Sequence, residues 1–135
     1  MATETKQRYI EAVGRRKTAI ARVRITPATK TSFIVNDKDV KEYFVTEELQ
    51  MIAQEAVTKS EVGEKFTISV HVLGGGIHAQ AEAVRHGLSR TLVERDENIK
   101  NTLKKLGFLK RDSRQVERKK FGLKKARKAP TWSKR

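Results

Sequence analysis

The sequence predicts an α+β fold, a two-layer α/β sandwich of one sheet and its helices, followed by an extended basic C-terminal tail. Three observations predict it. Several short segments carry apolar residues at every second position, longer segments carry them at helical spacing, and the last quarter is dominated by lysine and arginine. The predicted order, ββ(β)αβαα plus tail, combines hairpins with a helical crossover and places the helices on one face of the sheet.

The tail is identified by its charge. Of the 30 lysines and arginines in 135 residues, fourteen lie in residues 104–135, where only Asp112 and Glu117 oppose them. This segment therefore holds +12 of the net charge of +14, and residues 1–103 hold only +2. A block of like charge repels itself and buries little apolar surface, so we expect it to need an anionic partner to become ordered.

The chain divides accordingly into two parts. We predict a globular α+β RNA-binding domain in residues 1–107, which is close to the usual size of one domain. We predict the extended basic C-terminal tail in residues 108–135.

Composition limits the class of protein. The chain has no cysteine, which excludes a disulfide scaffold and a cysteine-ligated metal and fits a reducing compartment. Residues 1–7 are polar and lack the apolar run of a secretory signal, and no stretch has the length of a membrane span. A cytoplasmic protein without a membrane partner is expected. The large apolar residues of the tail form no sustained stripe, so the basic excess favours nucleic acid over a membrane surface.

Two strands are predicted at residues 8–13 and 18–25, around a turn of Gly14, Arg15, Arg16 and Lys17. The second strand alternates apolar with polar or basic residues along most of its length. It ends at Pro27, because proline cannot donate a hydrogen bond to a neighbouring strand.

A short third strand at residues 33–35 ends at the turn signal Asn36-Asp37. Residues 40–44 form a connector without a clear period. A helix follows at about residues 46–58, with Thr46 as its N-cap and apolar residues at helical spacing. Gly63 closes the loop after it.

Residues 66–73 alternate most clearly and predict a strand, which runs into three consecutive glycines. A second helix begins near Ile77 and carries an apolar stripe of Ile77, Ala81, Val84, Leu88 and Leu92. A third helix begins after Asp96 and ends at Gly107, which suits a left-handed C-terminal cap.

Candidate RNA-binding residues in the body form two groups. The first is Arg15, Arg16 and Lys17 at the predicted hairpin tip, extended along the strand by Arg22 and Arg24, where phosphates can lie across the surface. The second is the glycine turn, where the backbone N–H groups of Gly75 and Gly76 suit an anion at a helix start, with Arg85 and Arg90 on the outward face of that helix. A tight turn explains the glycines equally well, and their spacing is neither that of a P-loop nor that of a dinucleotide fingerprint.

The tail supplies the third group of candidate rRNA-binding residues. They are Arg111, Arg114, Arg118, Lys119, Lys120, Lys124, Lys125, Arg127 and Lys128. Phe121 and Trp132 are interleaved with them and suit stacking on bases. At about 3.3 Å per residue, the chain from Asp112 to Arg135 reaches roughly 80 Å when extended, enough to thread between RNA helices.

No residues form a convincing catalytic or metal site. His71, His78 and His86 lack metal-ligand spacing. We expect His86 to touch RNA and His71 to lie on a sheet face. No serine lies in a Gly-x-Ser-x-Gly turn, and the acids fall mostly on helix faces and turns, so we predict no enzyme, no cofactor and no metal.

Three motifs and the chain's end resemble one family. They are the run from Gly14 to Val23, the run Gly74-Gly75-Gly76 with Ala79-Gln80-Ala81 and Arg85-His86-Gly87, and the segment from Asp112-Ser113-Arg114 to Ser133-Lys134-Arg135. In this order they resemble small-subunit ribosomal protein nine of the bacterial type, over nearly the whole chain. The departures are small, such as His78 in place of a small hydroxyl residue and Thr131-Trp132 in place of Gln followed by Phe or Tyr.

The resemblance implies a structural constituent of the small ribosomal subunit. It implies a left-handed β-α-β crossover, against the usual hand, like that in the second domain of small-subunit ribosomal protein five. It also implies binding to small-subunit rRNA in the head, among neighbouring ribosomal proteins. The tail would then reach the anticodon stem-loop of the peptidyl-site tRNA with Ser133, Lys134 and Arg135.

Two other functions remain open from the residues alone. Related α+β folds host ribonucleases and kinases, so an RNA-processing enzyme is the first alternative, although it requires clustered acids with a metal. A general nucleic-acid condenser is the second, and it would bind random DNA as tightly as the rRNA of the head.

Overall fold

A computed structural model describes residues 8–134. Within that range a single sheet has the strand order β1-β2-β5-β3-β4. Its strands are β1 (Ile10–Arg16), β2 (Ala19–Pro27), β3 (Ser32–Val35), β4 (Lys38–Asp39) and β5 (Phe66–Leu73). The helices are α1 (Val40–Tyr43), α2 (Glu47–Ser60), α3 (Ile77–Arg95) and α4 (Lys100–Leu106), with a 3₁₀ turn at Glu97–Ile99 before α4. The predicted mixed α+β class is confirmed.

The sheet is antiparallel except at one pair of strands. β1 pairs with β2, β2 with β5 and β3 with β4, all antiparallel, whereas β3 and β5 run parallel. Because α1 and α2 lie between β3 and β5 in the chain, this segment is the helical crossover that the element order predicted. The left-handed sense of that crossover stays a prediction.

One face of the sheet is covered by helices and the other is open. The covered face of β2 consists of Ala19, Ala21, Val23 and Ile25, which are almost wholly buried, and β5 adds Phe66, Ile68, Val70 and Val72. Helix α3 contributes Val84, Leu88 and Leu92 to this core, and α2 contributes Ala53 and Ala56. Full burial of an aliphatic or aromatic side chain stabilises a fold by about 1.5–3 kcal/mol, so this layer holds the body together.

Gly14 lies inside β1 and not in a turn, so the predicted turn is wrong. β1 continues to Arg16, which pairs with Ala19, and only Lys17 and Thr18 connect the strands. A Cβ atom on Gly14 would lie 1.9 Å from the carbonyl oxygen of Ala83 and 2.3 Å from the nitrogen of Gly87, both in α3. Glycine is therefore needed at position 14 for the close approach of a helix, and the strand continues through it.

Other local details also differ from the predictions. Within residues 40–44, predicted as a connector, Val40–Tyr43 form the one-turn helix α1, and the side chain of Asp39 accepts from the Lys41 backbone N–H at 3.0 Å. α2 extends to Ser60, two residues beyond the predicted end, and the residue that follows it, Glu61, has a left-handed φ of 52°. Ile77 is 48% exposed and lies off the buried stripe of α3.

The turn at Asn36-Asp37 is confirmed. Both residues have positive φ, 48° and 65°, and they join β3 to β4 as a hairpin. The side chain of Asn36 donates to the carbonyl oxygen of Val72 at 3.0 Å and accepts from its N–H at 2.9 Å. The amide group thus extends the pairing with β5 beyond the end of β3.

The end of α4 leads into the tail through the predicted left-handed cap. Gly107 has φ 79°, and the Phe108 N–H donates to the carbonyl oxygen of Leu103 at 3.2 Å. Phe108 is buried in the core and Leu109 lies against it, so contacts with the body continue two residues past the predicted boundary. Residues 111–120 form neither helix nor strand, and turns and bends follow at residues 121–127.

We expect Gly14→Ala to destabilise the protein by about 1–3 kcal/mol or more, because the added methyl group overlaps backbone atoms of α3 and forces the helix away from the sheet. Urea unfolding followed by circular dichroism measures the loss. Gly63→Ala is the matched control, since a Cβ atom at position 63 meets nothing within 4 Å, and its effect should stay within about 0.5 kcal/mol. Equal stability of the two variants would contradict the close-approach explanation.

Candidate nucleic-acid interface

The open face of the sheet carries part of the predicted basic surface. Arg15 of β1 and Arg22 of β2 are exposed there, and Arg22 pairs in register with His71 of β5, which lies on this sheet face as predicted. Glu11 is the acid beside them, 2.9 Å from Nε of Arg24 and 3.8 Å from Nε of Arg22. One carboxylate between two guanidinium groups leaves this face cationic.

Exposed apolar residues lie within the same face. Ile20 and Leu73 pair across β2 and β5, and both are exposed. The guanidinium carbon of Arg24 lies 4.5 Å from the centroid of the Tyr9 ring, within the range of a cation–π contact. Lys17, exposed in the tight turn, adds a further cation at the edge of the face.

Arg16 lies on the opposite side of β1 from Arg15. Its Nε donates to Glu82 of α3 at 2.6 Å, its second terminal nitrogen lies 3.7 Å from Asp112, and it donates a short hydrogen bond to the carbonyl oxygen of Arg114. Only 14% of its side chain is exposed. The predicted cluster of three cations at a hairpin tip is therefore wrong in its geometry, because successive residues of a strand point to opposite faces.

The three glycines form a tight turn between β5 and α3. Gly74 and Gly75 have φ values of 74° and 65°, and a Cβ atom on Gly74 would lie 2.7 Å from the carbonyl oxygen of Thr18. Gln80 donates to the carbonyl oxygen of Gly74 at 3.0 Å and accepts from the hydroxyl of Tyr43 at 2.6 Å. These contacts explain the glycines without a ligand, and anion binding by Gly75 and Gly76 stays a prediction.

Arg85, predicted on the outward face of α3, is half-buried instead. It donates to Glu55 of α2 at 3.0 Å, and its guanidinium carbon lies 4.9 Å from the centroid of the Phe108 ring. The outward placement was wrong because α2 covers this part of α3. Arg90 is exposed as predicted, although it also donates to the carbonyl oxygen of Val13 at 2.6 Å.

His86 connects three parts of the chain. Its Nδ1 accepts a hydrogen bond from the Arg15 N–H at 3.3 Å, and the ring also hydrogen-bonds to the backbone of Leu109. Burial lowers the pKa of His86 below its ordinary value, and the positive charges of Arg90, Arg111 and Arg85 lower it further, against the opposing effect of the Leu109 hydrogen bond. The sequence carried no signal for this connection, since Arg15 and His86 are 71 positions apart.

The tail exposes all of its described cations. Every lysine and arginine from Lys110 to Lys134 is exposed, as are Phe121 and Trp132. Of the residues predicted to contact tRNA, Ser133 and Lys134 are exposed and Arg135 lies outside the described residues. The described cations of the tail are thus accessible to a polyanion.

Two acids bind cations within the tail. Asp112 accepts from the side chain of Arg114 at 2.8 Å, and mainly for that reason the pKa of Asp112 lies well below its ordinary value. Glu117 accepts from Arg127 at 2.8 Å and from Lys120, which closes a loop over residues 117–127. Arg114 and Arg127 therefore each have an acid partner, supplied by the two acids that oppose the cations in the sequence.

Residues 8–134 contain no group of three or more histidine, cysteine or acidic side chains placed to hold a metal ion. Among the helices of residues 8–134, none combines the length and the hydropathy that a membrane span requires.

The lowered pKa of His86 predicts a dependence of stability on pH. Below about pH 6.5, the ordinary value of histidine, the unfolded chain takes up this proton while the folded protein does not, so the free energy of unfolding falls as the pH drops towards the folded pKa. His86→Gln should reduce this fall between pH 7.5 and pH 5, as measured by urea unfolding. His71→Gln, on the exposed sheet face, should retain it. If the free energy of unfolding of His86→Gln fell with pH as steeply as that of the wild type, His86 would not be the group responsible.

The sequence matches the family described as Ribosomal protein S9/S16 over residues 14–135. The match begins at Gly14, on which α3 rests, and includes the end of β1, the other four strands, the glycine turn and the whole tail. The resemblance found in the sequence motifs is thereby confirmed. Proteins of this family are structural and non-enzymatic and act in translation. The chain therefore belongs to the Ribosomal protein S9/S16 family and is a structural, RNA-binding protein of the small ribosomal subunit.

Proposed function

We propose that the body of this protein binds small-subunit rRNA in the head and that its tail reaches the peptidyl-site tRNA. The observation that carries the proposal is the separation of charge: residues 104–135 hold +12 against +2 on residues 1–103, and the described cations of the tail are all exposed. A cationic segment without a core of its own is suited to lie between RNA strands, where phosphates surround it.

The open sheet face is the proposed rRNA surface of the body. Arg15, Lys17 and Arg22 are exposed around it, and arginine can bridge a phosphate through two nitrogens, whereas lysine offers a point charge. Arg90 extends the cationic surface on α3. These contacts fix the position and orientation of the body on RNA and do not need to read bases.

In the tail, exposed cations neutralise phosphates where RNA segments converge, and Phe121 and Trp132 stack on bases or riboses. Ser133, Lys134 and Arg135 contact the anticodon stem-loop of the peptidyl-site tRNA. The remaining surface meets neighbouring ribosomal proteins of the head, and the protein works in the cytoplasm. The family match supports the subunit, and the exposure of Ser133 and Lys134 supports their availability to tRNA.

Deleting Ser133, Lys134 and Arg135 should weaken tRNA binding at the peptidyl site while subunits still assemble. Hydrogen bonds to charged groups contribute about 1.5–3 kcal/mol each, so we expect roughly a tenfold loss or more. Filter binding of tRNA to reconstituted subunits measures the affinity. The control is Lys38→Gln with Lys41→Gln, which removes two exposed positive charges from the body. Unchanged tRNA affinity in the truncation would remove the tRNA role.

The salt dependence of RNA binding tests the role of the tail. If about eight phosphates are neutralised, the logarithm of affinity should fall with the logarithm of salt concentration at a slope of about −6 to −7. Replacing Lys119, Lys120, Lys124 and Lys125 by Gln should flatten the slope by roughly three. The matched control replaces four exposed lysines of the body, Lys30, Lys38, Lys41 and Lys59, and should leave the slope nearly unchanged.

The same titration separates a specific rRNA ligand from a general condenser. Wild-type protein should bind an RNA fragment of the subunit head more tightly than random-sequence RNA or DNA of equal length. Equal affinity for all three would support the condenser, and equal slopes for the two lysine variants would show that binding does not depend on the tail.

A further inference from the structure

We propose that Arg16, Glu82 and Asp112 form an anchor that fixes the direction in which the tail leaves the body, with Arg16 as its positioning residue. Arg16 belongs to β1, Glu82 to α3 and Asp112 to the tail, so this cluster joins the sheet, the helix layer and the start of the tail. The anchor is present in the free protein and does not depend on the proposed function. Only its effect on how the tail meets RNA rests on that function.

The contacts of Arg16 are divided between the body and the tail. Its Nε donates to Glu82 at 2.6 Å, which fixes the guanidinium against α3. Its two terminal nitrogens face the tail, one donating to the carbonyl oxygen of Arg114 and the other lying 3.7 Å from Asp112. A planar guanidinium suits this task, because it presents donors in several fixed directions at once.

The tail side of the anchor is ordered by its own contacts. Asp112 accepts from the Arg114 backbone N–H at 3.0 Å and from its side chain at 2.8 Å. This local turn brings the Arg114 carbonyl oxygen to Arg16. The chain direction after Arg114 therefore depends on the pairing between Arg16 and the turn.

Contacts before Asp112 support the same arrangement. Phe108 is buried beneath the guanidinium of Arg85, which Glu55 holds at 3.0 Å. His86 binds the backbone of both Arg15 and Leu109. A small cavity of about 40 Å³ lies where Arg85, His86 and Phe108 meet Arg16 and Asp112, so the supporting contacts and the anchor are neighbours.

The burial of Arg16 distinguishes this role from RNA binding. Its side chain is 14% exposed and already satisfied by one acid and one carbonyl oxygen, with a second acid nearby. The neighbouring Arg15 is exposed on the open face. Of these two adjacent arginines, the structure thus assigns Arg15 to the outer surface and Arg16 to the anchor.

The distance between two spin labels in the free, full-length protein tests the anchor. The chain has no cysteine, so labels attach only at Met51→Cys on α2 and Val116→Cys in the tail, both exposed positions. We expect one narrow distance population by double electron–electron resonance. Arg16→Gln and Asp112→Asn should each replace it with a broad distribution, and Arg16→Lys should retain part of the narrow population.

Arg95→Gln is the matched control, because it breaks another arginine–glutamate pair of α3, with Glu64 at 3.1 Å, away from the tail. It should keep the narrow population. Asp112→Asn should keep the wild-type urea midpoint, so broadening in that variant reports tail direction and not unfolding. A broad distribution in the unsubstituted labelled protein, or a narrow one in both Arg16→Gln and Asp112→Asn, would overturn the anchor. Neither result involves RNA, so the proposed function is tested separately by the tail truncation.

Discussion

The close approach of α3 to β1 is the constraint on which the rest of this structure depends. Gly14 and Gly87 face each other, and a side chain on either would meet backbone or buried atoms at less than 3 Å. Without a Cβ on either residue, the helix lies directly on the strand. Glu82 and His86, on the same helix, are thereby brought within hydrogen-bonding distance of Arg16 and Arg15. The candidate interface and the start of the tail are both built on this one contact.

The alternation of a strand then separates the cations that are adjacent in sequence. Arg15 points to the open face and Arg16 to the helices, so one arginine is exposed and the other is nearly buried among acids. Burying a charge is costly unless it is paired and hydrogen-bonded, and Arg16 meets both conditions through Glu82 and the Arg114 carbonyl oxygen. The two adjacent arginines therefore have different roles: Arg15 is available on the open face, and Arg16 joins the body to the start of the tail.

The sequence predicted the features that depend on local pattern. The spacing of apolar residues predicted the strands around Val23 and Val70 and the starts of the helices near Glu47 and Ile77. Turn chemistry predicted the left-handed cap at Gly107, and the structure has all of these features. The charge of the tail follows from composition alone.

What the sequence did not predict depends on contacts between distant residues. A glycine in a strand has two explanations, a turn or a close neighbour, and only the position of α3 decides between them at Gly14. Likewise, the partners of Arg16 are 66 positions away in Glu82 and 98 positions away in Arg114. Arg85 has its partner 30 positions away in Glu55. A run of basic residues reveals the charge, whereas the acids that bind some of these residues are found only in the fold.

The tail is therefore heterogeneous along its length, and this matters for binding. Fixing the backbone of one residue costs about 1–2 kcal/mol in conformational entropy, and a segment that becomes ordered only on binding bears that cost when it meets its partner. Residues 108–114 are already held by Phe108, Arg16 and Asp112. The conformational entropy of this part is therefore lost on folding and not on binding. The exposed residues beyond them keep their charge available to a polyanion. A fixed start also confines the free end to a smaller volume, which raises its effective concentration near any site that the body has brought within reach.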